Sequence, residues 1–110
     1  MRQLLALGIL FCMLHSVQAR PFSETLSKDR MVGILADLEL VRAMVYDYDN
    51  ADKEEADQLF RENVQRVYQT HATEPVTFQK SYLYYLNHPR LMQEIYALVI
   101  ARLEELLVRV

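Results

Sequence analysis

Apolar residues recur at spacings of three and four through most of this chain, and that periodicity constrains its fold more than any other feature. Such spacing places side chains on one face of an α-helix. Only 2 glycines and 3 prolines occur among 110 residues, so few positions interrupt a helix. The pattern predicts an all-α fold, a small bundle of about four helices forming a single domain over residues 20–110.

The first two helices are predicted from their capping residues and apolar stripes. Ser27 or Asp29 can cap the first helix, which runs to about Tyr48. Asp52 and Glu55 have the spacing of a capping box at the start of the second. The stripes expected to face the core are Met31, Ile34, Leu35, Leu38, Val41 and Val45, then Ala56, Leu59, Phe60, Val64, Val67 and Tyr68.

Two prolines mark the starts of the third and fourth helices. Proline lacks an amide hydrogen, so a helix tolerates it only in the first turn. Pro75 begins the third helix, with Thr73 as its expected cap. Pro89 begins the fourth, with Asn87 or His88 as its cap. The fourth helix carries an apolar seam suited to a shallow crossing with a partner helix, formed by Met92, Tyr96, Val99, Leu103, Leu106 and Val110.

The first nineteen residues have the anatomy of a secretory signal peptide. Arg2 precedes an apolar run over residues 4–14, and a small-residue pattern ends at Ala19. That run is shorter than the roughly 20 residues needed to span a bilayer. The sequence predicts a signal peptide over residues 1–19, cleavage between Ala19 and Arg20, and export to the periplasm or cell envelope.

Cys12 offers an alternative, because a cysteine late in an exported apolar segment is where a bacterial lipoprotein is acylated. Ile9, Leu10 and Phe11 are bulky where a lipoprotein signal has small residues, which argues against lipidation. After cleavage at Ala19 the mature chain has no cysteine for a disulfide or a thiol nucleophile. Membrane attachment is expected only if Cys12 is lipidated.

Charge and residue usage argue against several functions. The formal charge of -3 lacks the basic footprint of a nucleic-acid partner. His71 and His88, without cysteine or an HExxH spacing, make a weak zinc case, and the acidic segment 47–52 fails the calcium-loop pattern. Ser81 has no histidine at helical spacing. Paired carboxylates such as Asp37 with Glu39 fit solvated helix faces. We expect no catalytic residue, cofactor or metal.

The stretch "FQKSYLYYLNHP" is dense in aromatic and polar side chains. The spacing places Phe78, Tyr82, Tyr85 and Leu86 on one helical face, with Leu83 beside it, as in a packed core. Tyr82, Tyr85 and His88 are nevertheless the candidate binding residues of the chain, because a tyrosine hydroxyl and an imidazole can serve a ligand.

The order of these features resembles a family of short, exported helical domains of unknown function from Gram-negative bacteria. The resemblance lies in "DRMVGILADLELVRAMV", "LFRENVQRVYQTHATEPVTFQKSYLYYLNHPRLMQEIY" and "VIARLEELL". Its strongest matches are residues 31–38 and Phe78, Ser81, Tyr85, Pro89 and Tyr96. The resemblance implies a helical fold and an exported protein, often a lipoprotein, and it transfers no catalytic residues.

Two functions remain open from the sequence. The leading hypothesis is a non-catalytic helical interaction module of the bacterial cell envelope, with another envelope protein as its partner. The alternative is a small-ligand-binding or hydrolytic protein that uses the region of Tyr82, Tyr85 and His88.

The processing site can be tested by the intact mass of the exported protein. We expect a mature chain that begins at Arg20 and carries no acyl group, because small residues precede that bond and bulky ones precede Cys12. A diacylated chain beginning at Cys12 would contradict this prediction.

Overall fold

Four helices account for almost all of the chain that the computed structural model describes, namely residues 25–47 and 52–109. They are α1 (Lys28–Tyr46), α2 (Lys53–Thr70), α3 (Pro75–Leu86) and α4 (Pro89–Val108), and no strand occurs in those two ranges. The predicted all-α bundle of four helices is confirmed. The proposed signal peptide, with Cys12, Ala19 and Arg20, lies outside the described residues.

The predicted helix boundaries agree with the structure more closely than the predicted capping hydrogen bonds do. Ser27 caps α1 as predicted, because its hydroxyl accepts a hydrogen bond from the amide of Arg30 at 3.3 Å. The helix ends at Tyr46, and the predicted end at Tyr48 is not among the described positions. Asp52 occupies the N-cap of α2, but its side chain makes no capping hydrogen bond, so the expected capping box is wrong.

Both prolines begin their helices, yet the predicted side-chain caps there do not form. Glu74, rather than Thr73, is the N-cap residue of α3. His88 is the N-cap residue of α4, but its ring makes no capping bond at that helix. It bonds the carbonyl of Tyr84 at 2.7 Å, so it serves the end of α3 instead.

α1 is the central helix, since it packs against both α2 and α4, while α3 packs against α4. Lys28 pairs with Glu94 at 2.6 Å, which places the first turn of α1 beside the second turn of α4. The hydroxyl of Tyr46 donates to Asp57 at 2.6 Å, which places the end of α1 beside the start of α2. Further along, Leu40 of α1 lies across a groove from Leu103 and Leu107 of α4, so α1 and α4 are parallel. His71, at the end of α2, pairs with Asp37 of α1, so α2 is antiparallel to both.

The core lies mainly in the half of the bundle where α1 and α4 begin, which we call the proximal half. Its buried residues end at Ala36 on α1 and at Val99 on α4, apart from Val45, which is buried nearer the end of α1. The buried cluster is Leu26, Met31, Val32, Ile34, Leu35, Ala36, Val67, Tyr68, Phe78, Tyr85, Met92, Ile95 and Val99. The opposite end, which we call the distal half, contains fewer buried apolar residues.

Two hydrogen bonds tie the chain before α1 to α3. Leu26 is buried, and its amide donates to the Ser81 hydroxyl at 2.9 Å. Its carbonyl accepts from the Tyr85 hydroxyl at 2.6 Å. Ser81 also donates to the carbonyl of Thr77 at 2.8 Å. Because Ser81 and Tyr85 are four residues apart, they lie on one face of α3 and together satisfy the buried main chain of Leu26.

The aromatic stripe of α3 was predicted only in part. Phe78 and Tyr85 are buried, as expected, and Tyr82 is half-buried. Leu83 and Leu86, which were expected at or beside the core face, are 59% and 49% exposed. The buried face of α3 includes Ser81 instead of these two leucines, because Ser81 and Tyr85 bond the main chain of Leu26.

The contribution of Tyr85 can be measured by chemical denaturation of two variants. Tyr85→Ala should cost about 3 to 5 kcal/mol, because it removes a buried ring. Tyr85→Phe keeps the ring but leaves the Leu26 carbonyl without its donor, so we expect a cost of about 1 to 3 kcal/mol.

Leu83→Ala is the control, since it truncates an exposed residue of the same helix and should change stability by about 0.5 kcal/mol or less. Equal midpoints for Tyr85→Ala and the parent would contradict the packed role of Tyr85.

Candidate functional site

The three predicted binding residues do not converge on one cavity. The hydroxyl of Tyr85 is used on the main chain of Leu26, inside the core. The hydroxyl of Tyr82 lies 3.3 Å from that of Tyr96 on α4. The ring of His88 is exposed and stacks on Tyr84, with 4.1 Å between ring centroids. Each of the three polar groups therefore has a different protein partner.

The Tyr82 and Tyr96 pair joins α3 to α4. The hydrogen bond with Tyr82, together with burial and the nearby charge of Glu39, raises the pKa of Tyr96 to about 12. Tyr96 thus stays protonated at ordinary pH and acts as a neutral hydrogen-bonding group. It is unsuited to act as a base.

An apolar groove lies between the C-terminal halves of α1 and α4, and the sequence patterns did not identify it. We call it the α1–α4 groove, and it has a volume of about 520 Å³. Leucines from α4 face Leu40 and Ala43 of α1 across it. The lining residues are Glu39, Leu40, Arg42, Ala43, Tyr46, Asp47, Leu103, Leu106 and Leu107. Leu107 is 72% exposed, so apolar surface there faces solvent.

The charged residues of the groove come from α1 and from Asp47, its C-cap residue. Arg42 pairs with Glu39 at 2.6 Å, and that bond raises the pKa of the arginine, with a further contribution from Asp47. The hydrogen bond to Asp57 likewise raises the pKa of Tyr46. The groove is therefore an apolar surface with a small charged rim along α1.

A second cluster joins the end of α2 to α1 through His71. Its Nε2 lies 2.6 Å from Oδ2 of Asp37, and an ionised carboxylate only accepts, so the ring donates this bond. The other edge of the ring lies against Gly33. A Cβ on Gly33 would stand 3.1 Å from Cε1 and 3.6 Å from Nδ1 of His71.

Arg30 fixes the turn that carries His71. Its guanidinium donates to the carbonyl of His71 and to the Thr73 hydroxyl, the latter at 2.6 Å. Between them Ala72 has φ of 49°, a left-handed conformation that costs a non-glycine residue about 1 to 2 kcal/mol. Tertiary contacts therefore impose the shape of this turn.

The His71 and Asp37 pair resembles part of a catalytic triad in composition but not in geometry. In a triad the second ring nitrogen reaches a nucleophile. Here Nδ1 lies beside Gly33 of α1, and no serine, threonine or cysteine hydrogen-bonds to it among the described residues. The pair fastens α2 to α1, and we assign it a structural role.

The sequence contains a weak indication of the contact at Gly33 and none of the pairing between His71 and Asp37. A single glycine inside a helical pattern, as at Gly33, indicates close packing by a neighbour. Nothing local relates Asp37 to His71, since they are 34 positions apart. The expectation that Asp37 lies on a solvated face is therefore wrong in part, because its side chain is only 34% exposed.

The described helices also lack two other kinds of site. Within residues 25–47 and 52–109, no three His, Cys, Asp or Glu side chains are grouped to hold a metal ion. None of the four described helices combines the length and the apolarity needed to cross a bilayer.

The packing of His71 against α1 can be tested with Gly33→Ala in two backgrounds. Alanine favours a helix interior over glycine by about 0.5 to 1 kcal/mol. In the parent this gain should vanish, because the new methyl meets a ring that Asp37 holds in place. In a His71→Ala background the methyl has room, so Gly33→Ala should be stabilising. Equal effects in both backgrounds by denaturant titration would contradict the contact.

Comparison with known proteins identifies a family for this chain but no function. A family profile described as "Domain of unknown function (DUF4296)" matches residues 23–107, which include all but the last residue of the four helices. Searches of curated proteins and of solved structures gave no match. The predicted resemblance to a helical domain of unknown function is confirmed, and export and bacterial origin stay predictions. The chain belongs to the DUF4296 family.

Proposed function

We propose that this protein is a non-catalytic helical interaction module of the bacterial cell envelope, and that the α1–α4 groove binds a helix of another envelope protein. The observation that carries the proposal is the apolar surface left open in the distal half. Leu40 and Leu107, which line the groove, are 36% and 72% exposed. Contiguous exposed apolar surface of this kind marks interaction sites.

The unequal lengths of the helices explain why this surface is open. α3 has 12 residues and spans about 18 Å, whereas α1, α2 and α4 have 18 to 20 and span about 27 to 30 Å. A four-helix bundle buries its core with four helices along its whole length. Because α3 packs on the proximal half, the distal half lacks a fourth helix, and a helix from a partner fits that position.

The exposed side of α4 has the pattern of a helix-packing surface. Tyr96, Ile100, Leu103 and Leu107 follow one another at spacings of 4, 3 and 4. Ile100 is 55% exposed, and Tyr96 and Leu103 are half-buried. This spacing suits a partner helix that packs at a shallow angle, about 20°.

The polar groups of the described residues favour a binding role over a catalytic one. Every fully buried side-chain nitrogen or oxygen in the described ranges has a hydrogen-bond partner within the protein. Tyr85 and Tyr82 are bonded to other protein groups, and His71 is paired with Asp37. These contacts weigh against the ligand-binding or hydrolytic alternative at Tyr82, Tyr85 and His88.

The proposal can be tested by photo-crosslinking in cells that produce the protein. A photoreactive amino acid at position 107 faces the groove, and one at position 83 is similarly exposed but lies on α3. We expect a defined adduct from position 107 and none from position 83. The adduct should disappear with Leu40→Glu, which places a charge on the groove wall.

Leu83→Glu is the matched control, because it introduces the same charge on an exposed leucine outside the groove. Circular dichroism should show that both variants remain folded. Adducts of equal yield from both positions, or no adduct from position 107, would contradict the proposed role of the groove.

A further inference from the structure

The α1–α4 groove has an electrostatic polarity that follows from the parallel arrangement of its two helices. Lys28 and Glu94 join the starts of α1 and α4, so both C-termini lie at the distal mouth of the groove. A helix C-terminus carries about half a negative charge. The last turn of each helix lacks a basic residue that would offset it.

Side chains add to this negative potential. The lining contains Glu39 and Asp47 but only one base, Arg42, which pairs with Glu39 at 2.6 Å. Asp47 is the C-cap residue of α1 and lies at the mouth. On α4, Arg109 follows the last turn but pairs with Glu105 at 2.9 Å. The mouth is thus acidic, while the rest of the groove is lined mainly by leucines, with Ala43, Tyr46 and the paired Glu39 and Arg42.

We infer that the α1–α4 groove accepts an amphipathic α-helix that runs antiparallel to α1 and α4 and carries lysine or arginine in its first turn. The inference rests on the proposed function and specifies the partner. An antiparallel helix brings its positive N-terminus to the two negative C-termini. Basic side chains in its first turn then meet Asp47, and its apolar stripe packs on Leu40, Leu103 and Leu107.

The same charges disfavour a helix in the opposite direction. A parallel helix would place a third C-terminus at a mouth that already holds two. Basic residues at its end would offset this only in part, because the repulsion between the helix termini would remain. A preferred direction of the bound helix therefore distinguishes this inference from binding through apolar contact alone.

The test uses two stapled, fluorescent helical peptides, each about five turns long. They share one composition and one leucine stripe, and differ in carrying their lysines in the first turn or in the last. Binding to the full chain is measured by fluorescence anisotropy. We expect the peptide with lysines in its first turn to bind about threefold to tenfold more tightly, and added salt to reduce the difference.

Two charge variants locate the effect. Asp47→Lys reverses the charge at the mouth, so the preference between the peptides should shrink or reverse. Glu62→Lys makes the same change on the exposed face of α2 and should leave the preference unchanged. A nitroxide on the first residue of the favoured peptide should broaden the amide signals of Leu106 and Leu107 more than that of Tyr96.

Several results would overturn the inference. They are equal or reversed affinities for the two peptides, no binding of either peptide, or stronger broadening at Tyr96. A sedimentation result in which Leu107→Glu dissolves a dimer would assign the groove to a second copy instead. If the cellular adduct at position 107 persists and joins the chain to a different protein, the proposed function stands without this partner. If the adduct is absent or joins two copies of the chain, both fall.

Discussion

The arrangement of the bundle depends on the two hydrogen bonds that α3 makes to the main chain of Leu26. This residue is buried ahead of α1, where no helix satisfies its amide and carbonyl. Ser81 and Tyr85 supply both partners from one face of α3. A buried main-chain group without a partner is costly, so these bonds fix the position of α3 against the start of α1. The position of α3 in turn leaves the distal half open.

Much of the fold could be predicted from the sequence, because it rests on local rules. Apolar spacing placed all four helices, and Pro75 and Pro89 marked two of their starts. The errors arose where a residue depends on a distant partner. Ser81 was not expected in the core, since its hydroxyl is needed only by Leu26, which lies 55 positions away. Leu83 was wrongly expected beside the core for the same reason, because the contact with Leu26 determines which face of α3 is buried.

The candidate groove was less predictable than the fold. The seam predicted for α4 combined two faces: Met92 and Val99 face the core, while Tyr96 and Leu103 lie at its edge. Spacing alone cannot separate these faces, because all of these residues are apolar at helical intervals. The parallel direction of α1 and α4 could not be predicted from local sequence either. It results from the intervening helices, because α2 brings the chain back to the proximal half, where α3 leads to the start of α4.

The contact at Leu26 has a mechanical consequence. The chain before Thr25 joins the bundle at the proximal end, and the groove opens toward the distal end, roughly a helix length away. A pull applied at Thr25 is shared between α1, which continues the main chain, and α3, which holds Leu26 through the Ser81 and Tyr85 hydrogen bonds. The C-terminal turns of α1 and α4 that form the groove lie at the far end of the bundle from that point.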